Sequence, residues 1–340
     1  MNNPLPRTPQ TPPQILPLPG DEPRVLWSVM IPAYNCSAYL RQTLESVLAC
    51  NVEAGTMQIE VIDDHSTDAN VEELVKEIGG GRIGFYRQEK NVGSLRNFET
   101  CINRAKGKWV HILHGDDAVH KEFYSEIKNL FLSHPEAGAA FTGLEYITET
   151  GDRIEVNDTT PGNNGIIRNW LPQIAVQNLI QPPAIVVKRE VYEKIGSFFG
   201  VHYGEDWEMW VRIAAHFPVA YSPRPLAIYR YLRANSISNS SLKSGQNLKD
   251  ILKVIDTIQN YLPAHLKESL KREAKANYAN YFANCAQVVY KEFDNRQAAF
   301  HQAKSALSIH VNKTTIMSMA KLCVKISLAF LGFKFAFQKR

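Results

Sequence analysis

Between Val25 and Leu113 short apolar runs alternate with stretches whose apolar residues return at helical spacing. Val25–Ile31, Ile59–Ile62, Ile83–Tyr86 and Trp109–Leu113 read as strands. Tyr39–Cys50 (Leu40, Leu44, Val47, Leu48), the stretch holding Val71, Leu74, Val75 and Ile78, and Ser94–Lys106 read as helices, with Ser66 or Asp68 expected to cap the second. This alternation predicts right-handed crossovers and an α/β, Rossmann-type, mostly parallel sheet flanked by helices. Ligands bind such sheets at the carboxyl ends of the strands. Tyr34-Asn35, Asp63-Asp64-His65-Ser66 and His114-Gly115-Asp116-Asp117 all follow predicted strands, so they are expected to converge.

Further on, Ala139–Ile147, Ala184–Lys188 and Ala227–Tyr231 read as strands and Trp207–Phe217 as an amphipathic helix. Leu248, Ile251, Leu252, Ile255, Ile258 and Leu262 open a helical region reaching about His310. The expected division is a disordered proline-rich tail over 1–23, an α/β domain over 24–240, a C-terminal helical region over 241–312 and an amphipathic helix over 313–340. The tail is expected to be disordered because its prolines are many and its large apolar residues few.

Composition narrows the classes. Of 340 residues, 44% are hydrophobic and 21% charged, which fits a folded domain with an appendage. Lys+Arg 38 against Asp+Glu 34 leaves +4, too small and scattered an excess for a nucleic-acid partner. Five cysteines, Cys36, Cys50, Cys101, Cys285 and Cys323, with no Cys-x-x-Cys pair, read as reduced thiols in a cytoplasmic setting. No stretch before residue 310 is apolar for long enough to span a bilayer, and the N-terminus lacks a signal pattern.

Four places carry candidate chemistry. Asp64 is either a strand-end cap or a buried carboxylate that accepts the imide N–H of a pyrimidine base. In Gly115-Asp116-Asp117 the glycine lets backbone approach a ligand and Asp116 offers a hard oxygen for Mg or Mn, although Gly and Asp also simply make turns. Asp206, opening the helix of Trp207 and Trp210, is an N-terminal helix carboxylate or a general base held beside aromatics. Arg96, just after Gly93 at a helix start, suits phosphate or a base edge, or is a surface arginine.

Together the segments Ser28–Asn35, Val61–Asp68, Asn91–Asn97, Leu113–Asp117 and Gly204–Trp210 resemble family 2 glycosyltransferases of the GT-A fold, over about Val25 to Ser240. The resemblance implies an inverting transferase that moves a sugar from a nucleotide sugar, a UDP-sugar, to a hydroxyl of a saccharide or lipid-linked acceptor in cell-surface polysaccharide or glycolipid synthesis. By residue matching Pro32, Ala33 and Tyr34 line the base, Asp64 pairs with its imide edge, and Arg96 contacts the nucleotide. Gly115 lies against the donor, Asp116 holds a divalent metal (Mn or Mg), Asp206 is the general base, and Arg230, with Arg233 nearby, faces the diphosphate. Two positions depart from the family pattern: His114 replaces the first Asp of D-x-D, and Leu232 stands where a histidine is common. The alternatives are a catalytically silent nucleotide-sugar-binding module and another nucleotide-dependent α/β transferase. No Gly-x-Gly-x-x-Gly or P-loop follows the first strand.

The last stretch, Thr314 to Phe337, sets Thr314, Ser318, Lys321, Lys325, Gly332 and Lys339 on one narrow stripe in an otherwise apolar, Phe-rich helix. It reads as a helix packed on the core by its apolar face or as one lying on the inner leaflet of the plasma membrane, its lysines making a spanning helix costly.

Overall fold

The computed structural model describes residues 5–20, 24–50, 52–53, 55–154, 163–231, 233 and 236–330. The chain forms two compact units, one of residues 1–174 and 178–233, the other of 175–177 and 234–340.

The first unit begins with β1 (Trp27–Ala33), α1 (Ser37–Leu48), β2 (Met57–Asp63), α2 (Val71–Gly79), β3 (Gly84–Arg87), α3 (Ser94–Arg104) and β4 (Trp109–Ile112). It continues through β5 (Ala118–Val119), α4 (Phe123–Ser133), β6 (Ala139–Ile147), β7 (Arg153–Ile154), β8 (Gly165–Ile166) and α5 (Trp170–Ile174). It closes with β9 (Ile185–Lys188), α6 (Arg189–Ile195), α7 (Glu205–His216) and β10 (Val219–Arg230). The sheet order is β3-β2-β1-β4-β9-β6-β10-β5, with β7 on β6 and β8 on β10. β3, β2, β1 and β4 are mutually parallel, and β9 runs antiparallel between β4 and β6.

Every residue of β1 is buried, as a strand covered on both faces requires. Its one hydroxyl, Ser28 Oγ, donates to Gln58 Oε1 at 2.6 Å and accepts the Gly107 N–H at 2.7 Å, so no polar atom is stranded there. The helix caps differ from expectation. Asn70, not Ser66 or Asp68, caps α2 by accepting the Glu73 N–H. Asp68 instead accepts the N–H and hydroxyl of Ser37 at 2.9 and 2.8 Å, serving the start of α1.

The described part of the proline-rich segment, expected to be disordered, lies along the first unit. Ile15 is fully buried. The carbonyls of Pro6, Pro9, Pro13 and Leu16 accept from Arg96 Nε (2.9 Å), Gly200 N (2.9 Å), Ser197 N (2.8 Å) and Arg189 Nη2 (3.1 Å). Proline removes donors but keeps acceptors and lowers the entropy of the extended chain, so a strap held by other residues' N–H groups orders at reduced cost. Burying Ile15 adds about 1.5–3 kcal/mol.

The second unit holds α8 (Ile237–Ser244), α9 (Gln246–Ile258), α10 (Lys267–Phe293), α11 (Arg296–Ile309) and α12 (Lys313–Phe330). α8 belongs with these helices: Gln302 Nε2 of α11 donates to Leu242 O at 3.1 Å. α12 turns Thr315, Ser318 and Leu322 inward, while Thr314 and Lys321 of the expected polar stripe are exposed. Ser318 Oγ donates to Ala283 O at 2.6 Å, and Lys325 Nζ to Gln287 Oε1 at 2.8 Å. Ile316, Met317 and Val324 are exposed. Residues 331–340, which carry Phe333, Phe335, Phe337, Lys334 and Lys339, lie outside the described residues. No described helix is long and apolar enough to cross a membrane.

Candidate active site

The loops after β1, β2 and β4 are stitched together at the carboxyl ends of their strands. Asn35, in the left-handed region at φ 47°, donates its N–H to Ser66 Oγ at 3.0 Å and accepts the Thr67 N–H on Oδ1 at 2.8 Å. The Asp64 N–H donates to Ala33 O (2.8 Å) and the Gly115 N–H to Pro32 O (3.2 Å). Pro32 and Ala33 therefore join the three loops through their carbonyls, and Tyr34 projects beside them, 48% exposed. At Gly115 a Cβ would stand 2.7 Å from Cys36 Sγ, so no side chain fits.

Asp63 and Asp64 divide the work. Asp63 is fully buried, pairs with Arg87 Nη1 at 2.5 Å and accepts the Ser66 N–H at 3.1 Å, which makes it a brace. Asp64 accepts Val92 N–H on Oδ1 (2.7 Å), and Gly93 N–H (2.9 Å) and Asn91 Nδ2 (3.0 Å) on Oδ2. Burial pushes its carboxyl upward against those bonds, which favour the anion. Three acceptor positions are filled, and a carboxylate has about four.

His114, Asp116 and Asp117 bring one possible ligand atom each to within 4.8 Å of one another. The His114 ring stacks on Phe98 (centroids 5.3 Å, 10°), and burial holds its pKa below the usual range, so the imidazole is neutral and able to ligate. Asp117 is buried; its Oδ1 accepts the Arg230 N–H at 3.0 Å, while Oδ2 has no hydrogen-bond partner. An orphaned buried carboxylate oxygen beside a carboxylate and a neutral imidazole fits a divalent cation with mixed N and O ligands, such as Mn.

The three arginines matched to the donor have different protein partners. Arg230 is buried. Its Nε donates to Asp116 O (3.0 Å), Nη1 to the carbonyls of Thr148 (3.0 Å) and Glu149 (2.8 Å), and Nη2 to Gln42 Oε1 (2.5 Å). With four of five donors engaged it braces the Asp116 turn. Arg233 Nε instead donates to Asp116 Oδ2 at 2.7 Å, with the guanidinium 5.5 Å above the Tyr39 ring. Arg96, matched to a nucleotide contact, donates through Nε to Pro6 O at 2.9 Å and through Nη1 to Glu99 at 2.6 Å.

Asp206 stands in the first turn of α7, after Gly204 at φ 85°. Two buried tryptophans fix that helix by donating to Ile174 O and Ile180 O at 2.6 and 3.2 Å. Asp206 Oδ2 accepts Asn178 Nδ2 at 2.9 Å, and burial raises its pKa. Its environment includes His114: with Phe98, Phe198, Glu205 and Trp210 the two line one cavity of ≈ 10 Å³, about one water molecule. Tyr229, whose own pKa is pushed up mainly by burial and further by Asp117, Asp116 and Asp206, stands among these carboxylates. Asn178 and Gln42 are the polar partners that spacing in the sequence did not single out.

The solved structures most like this chain include residues 1–349 of Staphylococcus aureus TarS with UDP-GlcNAc (TM-score 0.62, 13% identity, 92% of this chain and 93% of that one). Another is the Pyrobaculum calidifontis mannosyltransferase PcManGT with GDP-Man and Mn2+ (TM-score 0.55, 15% identity, 94% and 84%). By sequence, an uncharacterised glycosyltransferase of Mycoplasma genitalium is 29% identical over 271 residues, 75% of this chain and 88% of that protein. One of Methanocaldococcus jannaschii is 23% identical over 201 residues, 58% and 67%. Residues 28–196 match the family described as Glycosyl transferase family 2, and they hold the Asp64 and Asp116 loops. With a GT-A sheet carrying these loops at its strand ends, the chain belongs to family 2 of the glycosyltransferases and is an enzyme of glycosyl transfer.

Proposed function

We propose that this enzyme transfers a sugar from a UDP-sugar to an acceptor hydroxyl by one inverting displacement, with Asp206 as general base. The observation carrying the reading is the shared cavity of Asp206 and His114. A base and a ligand of the donor's diphosphate must lie about one reacting group apart, and these two residues come from α7 and the loop after β4. Asp206 removes the hydroxyl proton; its raised pKa makes it the stronger base once ionised. Arg233 supplies positive charge beside Asp116, where the leaving diphosphate gains charge. Mn or Mg bound by His114, Asp116 and Asp117 would supply Lewis-acid neutralisation of that diphosphate. The brace Asp63–Arg87 and the Asn35–Ser66 stitch hold the base-binding loops in register without touching the reacting atoms.

The acceptor in this reading is a saccharide or lipid-linked glycan made at the inner face of the plasma membrane. The outward apolar side of α12 supports attachment there. No Asp or Glu occurs from Asn295 to Arg340, whereas Lys313, Lys321 and Lys325 all lie on α12, which suits anionic lipid.

The test is donor hydrolysis and calorimetry with UDP-GlcNAc, UDP-Glc and GDP-Man. Hydrolysis of a UDP-sugar that D206N slows by about 10²–10⁴-fold is the expected result. Binding without hydrolysis makes the protein a silent module, and preference for GDP-Man overturns the UDP assignment.

A further inference from the structure

The N-terminal strap brings a cation to the loop that Asp64 organises. Arg7 Nη2 lies 2.5 Å from Asn91 Oδ1 and Nη1 3.2 Å from Asn91 O. Asn91 in turn donates through Nδ2 to Asp64 Oδ2. Arg7 also overlies Gly93: a Cβ at that glycine would stand 3.3 Å from Arg7 Nε. The guanidinium is exposed and, among the described residues, has no carboxylate at ion-pair distance. Arg96 and Arg87, the neighbouring arginines, are paired with Glu99 and Asp63.

We propose that Arg7 is a nucleobase-binding residue, donating to the base carbonyl that adjoins the imide N–H accepted by Asp64. The inference rests on Asp64 being the base site. An imide N–H is flanked by carbonyl oxygens. A carboxylate that accepts the N–H repels those oxygens unless a donor stands beside it. Two of Arg7's five donors are directed at Asn91, and the fork geometry keeps the others alongside. Uracil presents this acceptor–donor–acceptor edge. Cytosine places an amine where uracil has a carbonyl, so the same guanidinium opposes it. The strap therefore does more than cover the domain: it completes the edge that selects the base.

Calorimetry of the full chain with UDP and with CDP tests the proposal, using wild type, R7Q, R7K and D64N. Wild type is expected to prefer UDP. R7Q should weaken UDP about tenfold and CDP less than twofold, and R7K should restore part of the preference. A strap that merely held the fold would weaken both nucleotides together, so an unchanged UDP-to-CDP ratio in R7Q overturns the role, as does UDP binding equal to wild type. If wild type binds UDP but D64N binds it equally well, the base-site reading fails first. If wild type binds neither nucleotide, the donor reading itself falls, and Arg7 with it.

Discussion

Arg233 Nε donates to Asp116 Oδ2 across 2.7 Å, so the carboxylate matched to the metal position is already shared with a protein cation. The pair is mostly shielded, with side chains 13% and 18% exposed. Burial favours deprotonation of Arg233, but Asp116, Cys36 and Tyr39 together outweigh it and the guanidinium stays charged, its pKa raised. In the proposed mechanism this pairing leaves the other Asp116 oxygen for a metal and keeps a fixed positive charge beside the leaving diphosphate.

The two arginines of this region should therefore separate in experiment. R233Q is expected to lose about 10²-fold in kcat, because in the proposed mechanism its charge stands beside the leaving diphosphate, and to melt below wild type by less than R230Q does, because Asp116 loses one partly shielded partner. R230Q should lose about 3–5 kcal/mol of stability, because it strands a network of buried carbonyls around the Asp116 turn. Thermal melts alongside steady-state rates distinguish the two; the reverse pattern would return the diphosphate role to Arg230.

If Asp206 is the general base proposed above, it sets the acid limb of the rate profile. Burial raises its pKa and the Asn178 hydrogen bond lowers it. A general base works ionised, so kcat/KM should fall as pH drops through a value above the ordinary carboxylate range. In N178A the anion loses a donor, its pKa rises further, and the acid limb should move to higher pH. A pH–rate profile of N178A superposable on wild type would remove Asp206 from the base role.

Much of this arrangement was legible in the chain. The apolar runs of β1, β2, β3 and β4 predicted the parallel half of the sheet, and the polar loops that follow β1, β2 and β4 do meet. What was hidden had local causes. Proline content signalled disorder, yet the strap is held through its carbonyls, and acceptors leave no signature in side-chain pattern. Arg230 and Arg233 are chemically alike, and only three-dimensional neighbours show that one is engaged by carbonyls and the other by a carboxylate. Asn178 has no motif at all; its meaning comes from lying 2.9 Å from Asp206.

His114 predicts a metal preference. A neutral imidazole nitrogen suits Mn better than Mg, which favours oxygen ligands and water. EDTA should abolish transfer, and Mn should restore it more fully than Mg. H114D replaces nitrogen with oxygen and should shift the preference toward Mg. Equal activity in EDTA and in Mn would remove the metal from the mechanism.

His111 governs acid stability. It is fully buried, with Nε2 donating to Pro183 O at 3.0 Å and Nδ1 facing Tyr124 Oη at 3.1 Å, and burial lowers its pKa to about 3. The unfolded chain binds a proton here below about pH 6.5 that the folded protein does not take up until about pH 3. Stability contributed by neutral His111 is therefore full above pH 6.5 and falls on acidification toward 3, by up to ~1.4 kcal/mol per pH unit. H111F should be less stable at neutral pH, since Pro183 O and Tyr124 lose a partner, but its urea midpoint should fall less steeply from pH 6.5 to 4. An equal slope in both proteins would assign the acid sensitivity elsewhere.

The outward face of α12 yields the last prediction. Ile316 and Val324 are 52% and 57% exposed, while Ser318 and Lys325 face α10. A soluble amphipathic helix normally buries such side chains, as α12 buries Leu322, because exposed apolar area costs about 25 cal/mol per Å² relative to burial. Lipid removes that cost, and lysines bordering the face add attraction to anionic headgroups. The intact protein should float with vesicles containing phosphatidylserine, less so at high salt, and poorly with purely zwitterionic ones. I316E/V324E alters exposed positions only, so its melting temperature should match wild type while flotation is lost. Undiminished flotation of that variant would move the membrane contact off α12, and a wild-type dimer that the variant dissolves, with no flotation by either, would show that a second copy covers this face instead.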